Sequence, residues 1–310
     1  EQGLLDFDTT ETRIFFDANG MICAIRPLQR NDAHRLIEEF MLAANVATAK
    51  ALVEGKMPGL FRNHGGPKAE KLKALREFLG ELGLDLSGGE EPKTRNYADL
   101  CTAVAGREDA RLIRTLMLRS LPLAVYSAEN IGHFGLDFRA YTHFTSPIRR
   151  YPDLQVHRAI RAMIGRPAGD AGDDHNLHAL AEHCSMTERR ADEAARDSVQ
   201  RLKCGFMEQH LGEEFAGTIT GVAPFGIFVE LDDVYVEGMV HITALPSDYY
   251  HHDAVRHQLL GERRGLRFRL ANRVRVRVVR VDSDEKRMDF ELVDQTGEQP
   301  HGQRKRKRRN

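Results

Sequence analysis

Apolar positions change period along the chain, and each change marks a different kind of element. Ile14 and Phe16, then Ile22 and Ala24, alternate with opposite-face positions around Ala18-Asn19-Gly20, which predicts two short strands and a turn within residues 4–28. From Asn31 the spacing lengthens. Leu36, Phe40, Ala44, Ala47 and Ala51 fall three or four apart, as one face of a helix does, with Asn31 and Asp32 as caps and a stop near Gly55 and Pro58. Leu72, Leu75, Leu79 and Leu82 predict a second amphipathic helix closed by Gly83, and Leu112 and Leu116 a third. A helix follows from Arg158 to Ile164, then a Gly- and Asp-rich break over 165–174, then one long charged helix from His178 to about Gln209.

At Gly212 the period returns to two. Ile227, Val229 and Leu231 face away from Phe228 and Glu230, and Val240 and Ile242 oppose His241. Val274, Val276 and Val278 alternate with Arg273, Arg275 and Arg277, and Met288, Phe290 and Leu292 repeat the pattern. Some four or five short strands in roughly eighty residues predict a small barrel of OB-fold size. The expected fold class is therefore α+β: a mixed, mainly helical region over 1–210, a five-stranded β-barrel over 211–294, and a basic, disordered tail over 295–310.

Charge and composition refine this division. The formal net charge of the 310 residues is −1, yet the final HGQRKRKRRN carries six Lys and Arg and no acid, so the rest of the chain is acidic. A basic tail without apolar side chains cannot bury surface to offset the entropy of ordering, and it suits contact with polyanions. At 41% hydrophobic residues the chain is long enough for two packed domains. Cys23, Cys101, Cys184 and Cys204 are too widely spread for a CxxC metal site or a disulfide scaffold. No apolar run reaches the roughly 18 residues of a membrane span. A monomer in the cytoplasm, without a membrane partner, is the expectation.

If the aliphatic residues fill the barrel, Phe225, Phe228 and His241 project outward. Exposed aromatics on such a surface read as a stacking platform for unpaired bases, or more simply as a ring closing the barrel end beside a surface histidine. The joint pattern GVAPFGIFV followed by EGMVHI resembles the S1 domain, an OB-fold RNA-binding module, from Gly212 to about Asp294. That resemblance implies single-stranded RNA as partner, with Phe225, Phe228 and His241 on the RNA face, both rings exposed, and Arg287 beside them. Between Gly212 and Asp294 there are 11 Lys and Arg against 15 Asp and Glu, so binding is expected to rest on stacking more than on bulk charge.

Upstream, HFGL (133–136), AYTHFTSPIRRYPDLQVHRAI and HCSMTERRADEAARD are similar to the C-terminal part of the catalytic RNB domain of ribonuclease II-family exoribonucleases, from about Leu5 onward. The family implies processive 3'-to-5' hydrolysis of single-stranded RNA to 5'-nucleoside monophosphates. It also implies that Arg149 clamps phosphate at the 3' end, a task suited to a permanently charged fork of donors between Pro147 and Pro152. Arg150 is expected to support it through RNA-backbone contact or an ion pair with Asp153. Phe61, in GLFRNH, resembles a position where the family stacks an aromatic on bases, with core packing as the alternative. His143 and His157 are assigned to structure, because no third ligand is spaced to complete a metal site.

The family's chemistry also requires a tight aspartate cluster holding magnesium ions. Asp173 and Asp174, and Asp232 and Asp233, read as solvated turns, so no metal ligand is assigned. The chain is expected to be a C-terminal portion that binds RNA without cutting it, its metal cluster lying upstream. The alternative is a non-catalytic S1-type RNA-binding protein.

Overall fold

A computed structural model describes residues 12–28, 30–107, 109–166 and 176–293. The expectations for the first residues, for Asp173 and Asp174, and for the basic tail fall outside these. Contacts divide the described residues into two compact units, one within 30–195 and the other formed by 12–28 together with 196–293.

In the first unit, α1 (Asp32–Glu54) begins at Asn31, whose side-chain oxygen accepts the His34 N–H at 3.1 Å while the His34 ring accepts the Asn31 N–H. This reciprocal cap satisfies donors that the first turn leaves open. The buried face differs from the one the spacing predicts: Asn45, Thr48, Ala49 and Leu52 point inward, while Leu36 and Phe40 stay exposed. Asn45 accounts for part of the difference, since its amide is hydrogen-bonded to Tyr141 and Phe144, which period alone cannot anticipate. The unit continues through β3 (Phe61–Asn63), α2 (Ala69–Glu81), α3 (Thr94–Ala103), α4 (Ala110–Ser120), β4 (Val125–Ser127), α5 (Tyr151–Met163) and α6 (Leu177–Met207), whose residues after Ala195 group with the second unit. Helix α2 buries Leu72, Leu75 and Leu79 with Phe78, whereas the expected Leu82 is its half-buried C-cap, and α4 buries Leu112 and Leu116 with Ile113 and Met117. Helix α3 escapes the periodic reading because its inward face, Thr94, Tyr97 and Leu100, is largely polar or amphipathic.

The second unit contains the opening hairpin, β1 (Thr12–Phe16) and β2 (Ile22–Pro27), and the barrel strands β5 (Glu214–Ala223), β6 (Gly226–Leu231) and β7 (Glu237–His241). After β8 (Tyr250–Asp253), β9 (Gln258–Gly261) and β10 (Arg267–Arg269), the chain completes the barrel with β11 (Arg273–Asp282) and β12 (Arg287–Leu292). The closed order is β11-β12-β7-β6-β5, with β12 running parallel to β7. The predicted alternation is realised: Ile227, Val229, Leu231, Val240, Val276, Val278, Met288 and Phe290 are all buried. Ile25 of the hairpin joins the same hydrophobic core. Strands β8 to β10 form a separate sheet that period-two reading misses, because they have only three or four residues each and their sequences include YHHD and RFR.

Candidate nucleic-acid interface

In the first unit, the loop before α5 is held from its buried end. Asp153, wholly buried in the first turn of the helix, accepts the Ser146 N–H at 2.7 Å and an Arg150 Nη2 hydrogen at 2.8 Å on one carboxylate oxygen. The Ser146 carbonyl in turn accepts the backbone N–H groups of Arg149 and Arg150. An acid in a first turn is also favoured by the helix dipole, and Pro152 fits there because it has no N–H to place. The two arginines are thereby separated in role. Arg150 lies 18% exposed against Asp153, whereas Arg149 is exposed and, among the described residues, its guanidinium has no hydrogen bond or ion pair.

Beneath this loop lies a layer of buried polar rings. Burial, with the positive fields of Arg150, Arg62, His133 and Arg149 adding to it, lowers the His143 pKa to about 3, so the imidazole is neutral. Burial and then the Glu188 charge push the Tyr126 phenol up to about 12, so its O–H is retained, and the hydroxyl shares a hydrogen bond with His143 Nδ1 at 2.8 Å. The Arg62 guanidinium lies 4.7 Å from the centre of the Tyr126 ring and pairs with Glu188 at 2.6 Å. His133 is likewise lowered to about 3, first by burial and then by the fields of His64 and Arg62. His157 stacks on Phe144 at 4.1 Å and bonds its carbonyl at 2.9 Å. These histidines are engaged in holding the fold. Phe61 departs from its expected place on RNA: it is 6% exposed and packs with Ala49, Leu52, Ala140 and Val156. The core alternative describes it, because β3 pairs with β4 and turns the ring inward.

In the second unit, Phe225 is 50% exposed and meets Phe228 edge to face, with centroids 6.1 Å apart. Phe228 is half-buried rather than open, because its ring rests over Gly221, where a β-carbon would stand 3.0 Å from it. His241, paired with Gly226 across β6 and β7, is exposed and held through Nδ1 by the Thr243 hydroxyl at 2.8 Å. Arg287 is exposed at the start of β12. An open groove of about 390 Å³ runs beside His241, lined by Met239, Thr243, Asp289 and Glu291 among others. Its two acids repel phosphate and can accept hydrogen bonds from base amino groups, so this face suits bases better than backbone. The alternation around Phe290 already turned both acids outward in the sequence; no local signal marked Tyr126, Arg62 or Glu188, which meet only in the fold.

A profile of the RNB domain matches residues 1–166. The chain belongs to the RNB domain family. Its RNB region is followed by an S1 RNA binding domain, matched over residues 208–292. Among RNB relatives, ribonuclease R of Vibrio cholerae serotype O1 is 47% identical over 305 residues, covering 95% of this chain and 37% of that protein. Ribonuclease R of Escherichia coli K12 is 46% identical over 303 residues, covering 94% and 37% respectively. The chain thus spans well under half the length of the curated relatives it matches. Of solved RNB structures, the apo form of Mycoplasma genitalium RNase R is similar with a TM-score of 0.86 at 27% identity, covering 94% of this chain and 46% of that one. The same enzyme in complex with ribose methylated single-stranded RNA also gives 0.86, at 26% identity.

Among the described residues, no group of three or more His, Cys, Asp or Glu side chains is placed to hold a metal ion. The described residues therefore do not fit the divalent-metal site that the family implies. No described helix is long and apolar enough to cross a membrane.

Proposed function

We propose that this chain is the RNA-holding part of a ribonuclease R-type exoribonuclease, which degrades single-stranded or structured RNA processively from its 3' end to 5'-nucleoside monophosphates. The observation that carries this reading is the asymmetry of the arginine pair. Asp153 neutralises Arg150 and fixes the loop, so Arg149 is presented to solvent on a rigid support with its charge unused. A guanidinium so placed can hold a phosphate by two parallel hydrogen bonds and can stabilise charge that grows there during cleavage. The exposed Phe225 ring, with half-buried Phe228 and exposed His241, supplies the surface for unpaired bases, and Arg287, exposed on β12, is the candidate for backbone phosphate. Magnesium is the metal we assign to the whole enzyme. A cytoplasmic setting agrees with four free cysteines, and a monomer with a strand-binding role.

Positioning alone supplies no nucleophile. The 310-residue chain should therefore bind single-stranded RNA and release no mononucleotide. To test the catalytic reading, this chain replaces the matching 37% of the Vibrio cholerae ribonuclease R. The chimera should release 5'-mononucleotides from a 3'-extended RNA, and chelation of divalent metal should stop it. Within the chimera, Arg149→Ala should cut turnover by about 10²-fold or more while long RNA still binds, the pattern of a contact made in the transition state. Arg149→Lys should restore little, because an ammonium cannot reproduce the fork. A folded chimera that binds RNA and never cuts it would instead support a non-catalytic RNA-binding protein.

A further inference from the structure

The arginines of the S1 unit are not equivalent. Along β11 they are matched to acids: Arg273 with Asp232 at 2.7 Å, Arg275 and Arg277 with Glu214 at 3.6 and 2.6 Å, and Arg280 with Asp282 at 2.7 Å. Lys286 pairs with Asp197, and Arg256 with Asp253. Arg263, Arg264 and Arg267 are exposed and, among the described residues, have no ion pair. Arg267 lies in β10, and Arg263 and Arg264 in the turn that joins β9 to β10, on a sheet that lies outside the closed barrel. In a domain whose acids outnumber its bases, three such arginines are thus gathered on one small element, apart from Arg287 of β12, which also has no ion pair among the described residues.

That element is built to hold these residues in place. One face of its sheet is core, with Tyr250, Leu259 and Phe268 buried. On the other face His251, Leu260 and Arg267 stand in one cross-strand row. Tyr249, 64% exposed, meets the His251 ring edge to face at 5.1 Å. The turn after β9 is tied to Tyr249 by Asp248, whose carboxylate accepts the backbone N–H groups of Tyr249, Arg263 and Arg264 at 2.7, 2.9 and 2.8 Å. The Glu262 N–H donates to the Tyr249 carbonyl at 2.8 Å. Gly261 permits this closure, since a β-carbon there would stand 2.5 Å from an Asp248 oxygen. Asp248 therefore fixes the backbone of both arginines and, among the described residues, leaves their guanidinium groups without an ion pair. Against desolvation, the same N–H groups and then the Arg263 charge lower the Asp248 carboxyl pKa. The acid in the turn, Glu262, faces His251 at 3.9 Å.

We propose that this outer face is a second contact for a single RNA strand, with Arg263, Arg264 and Arg267 on consecutive phosphates and the open face of Tyr249 under a base. An aromatic platform beside unpaired arginines, within an otherwise acidic domain, suits a strand that offers regularly spaced phosphates together with exposed bases. The inference rests on the RNA-binding reading of the barrel, and it concerns a face remote in sequence from Phe225 and Phe228.

The test uses the 310-residue chain and a labelled single-stranded RNA of about 20 nucleotides, titrated by fluorescence over a range of salt. Removing Arg263, Arg264 and Arg267 together as alanines should make the plot of log affinity against log salt shallower by about 2, since each phosphate contact on a single strand contributes about 0.7. Tyr249→Ala should weaken binding about tenfold at every salt concentration without changing that slope, and an abasic strand should abolish the difference. Phe225→Ala, measured in parallel, reports the barrel face. If it weakens binding while the triple variant keeps the parental slope, the second contact is wrong and the barrel reading stands. If the parent chain does not bind RNA, both are wrong. Polyglutamate that competes as well as RNA, with Tyr249→Ala silent, would assign the face to an acidic protein and overturn the proposal.

Discussion

Phe225 and Phe228 show how one residue type takes two roles three residues apart. Phe225 keeps half its surface open at the β5–β6 turn, whereas Phe228 lies over Gly221 and shares its burial with the barrel wall. Phe225→Ala should therefore cost about 1–3 kcal/mol of single-stranded RNA affinity with little change in stability. Phe228→Ala should cost affinity and also about 1–2 kcal/mol of stability, because it removes ring contacts that the fold uses. Fluorescence titration beside urea denaturation separates the two, and undiminished affinity in a folded Phe225→Ala chain would remove the stacking role. Phe228 was legible as outward-facing from strand period, whereas Phe225 shares the parity of buried Ile227 and is open because it lies in the turn before β6. Their unequal exposure was not, because it depends on a glycine in the neighbouring strand. The pairing of Arg150 with Asp153 was legible too, since three residues separate neighbours on one helical turn.

At the scale of elements, the connection from β4 to α5 gathers His133, Tyr141 and His143 into a layer of rings bonded to the Leu136 N–H, the Asn45 amide and the Tyr126 hydroxyl respectively. Its histidines give the fold a pH dependence. His133 and His143 titrate near 6.5 when unfolded and at about 3 when folded, so between these values the unfolded chain holds protons that the folded chain does not. Stability is then complete above about pH 6.5 and falls as pH drops toward 3. Urea denaturation should show a loss on the order of 1–3 kcal/mol between pH 7 and pH 5, and His143→Gln should reduce that loss. A midpoint that does not move over this range would contradict the burial argument. Sequence period located α1, α2, α4 and the barrel strands, yet it assigned α1 the wrong buried face and missed α3 and β8 to β10. In each case the deciding contacts are polar or too short to repeat.

For the molecule as a whole, charge is distributed against the simple expectation for an RNA-binding protein. The barrel is acidic, most of its β11 arginines are internally paired, and a groove beside His241 carries Asp289 and Glu291. The six cations of 304–309 lie in sequence beyond the described residues. Deleting them should flatten the salt dependence of RNA binding by several phosphate contacts' worth while leaving base stacking intact. Affinity should converge with that of the full chain at high salt, where counterion release contributes little. Identical slopes before and after truncation would show that the tail does not meet RNA.

Local order in the sequence determined the α+β class, the switch from helices to a five-stranded barrel near Gly212, and the outward placement of Phe228, His241 and Arg287. These follow from period and sterics, which act between residues a few positions apart. Tertiary structure alone decided that Phe61 is core, that Arg149 is free while Arg150 is neutralised, and that Asp248 fixes a turn bearing two unpaired arginines. Those outcomes depend on which buried polar groups find partners far along the chain. Asn45 reaches Tyr141 and Phe144, Arg62 reaches Glu188, and Asp248 reaches Arg263 and Arg264. A buried polar group without a partner is costly, so such meetings are selected by the whole fold, and no spacing in the sequence announces them.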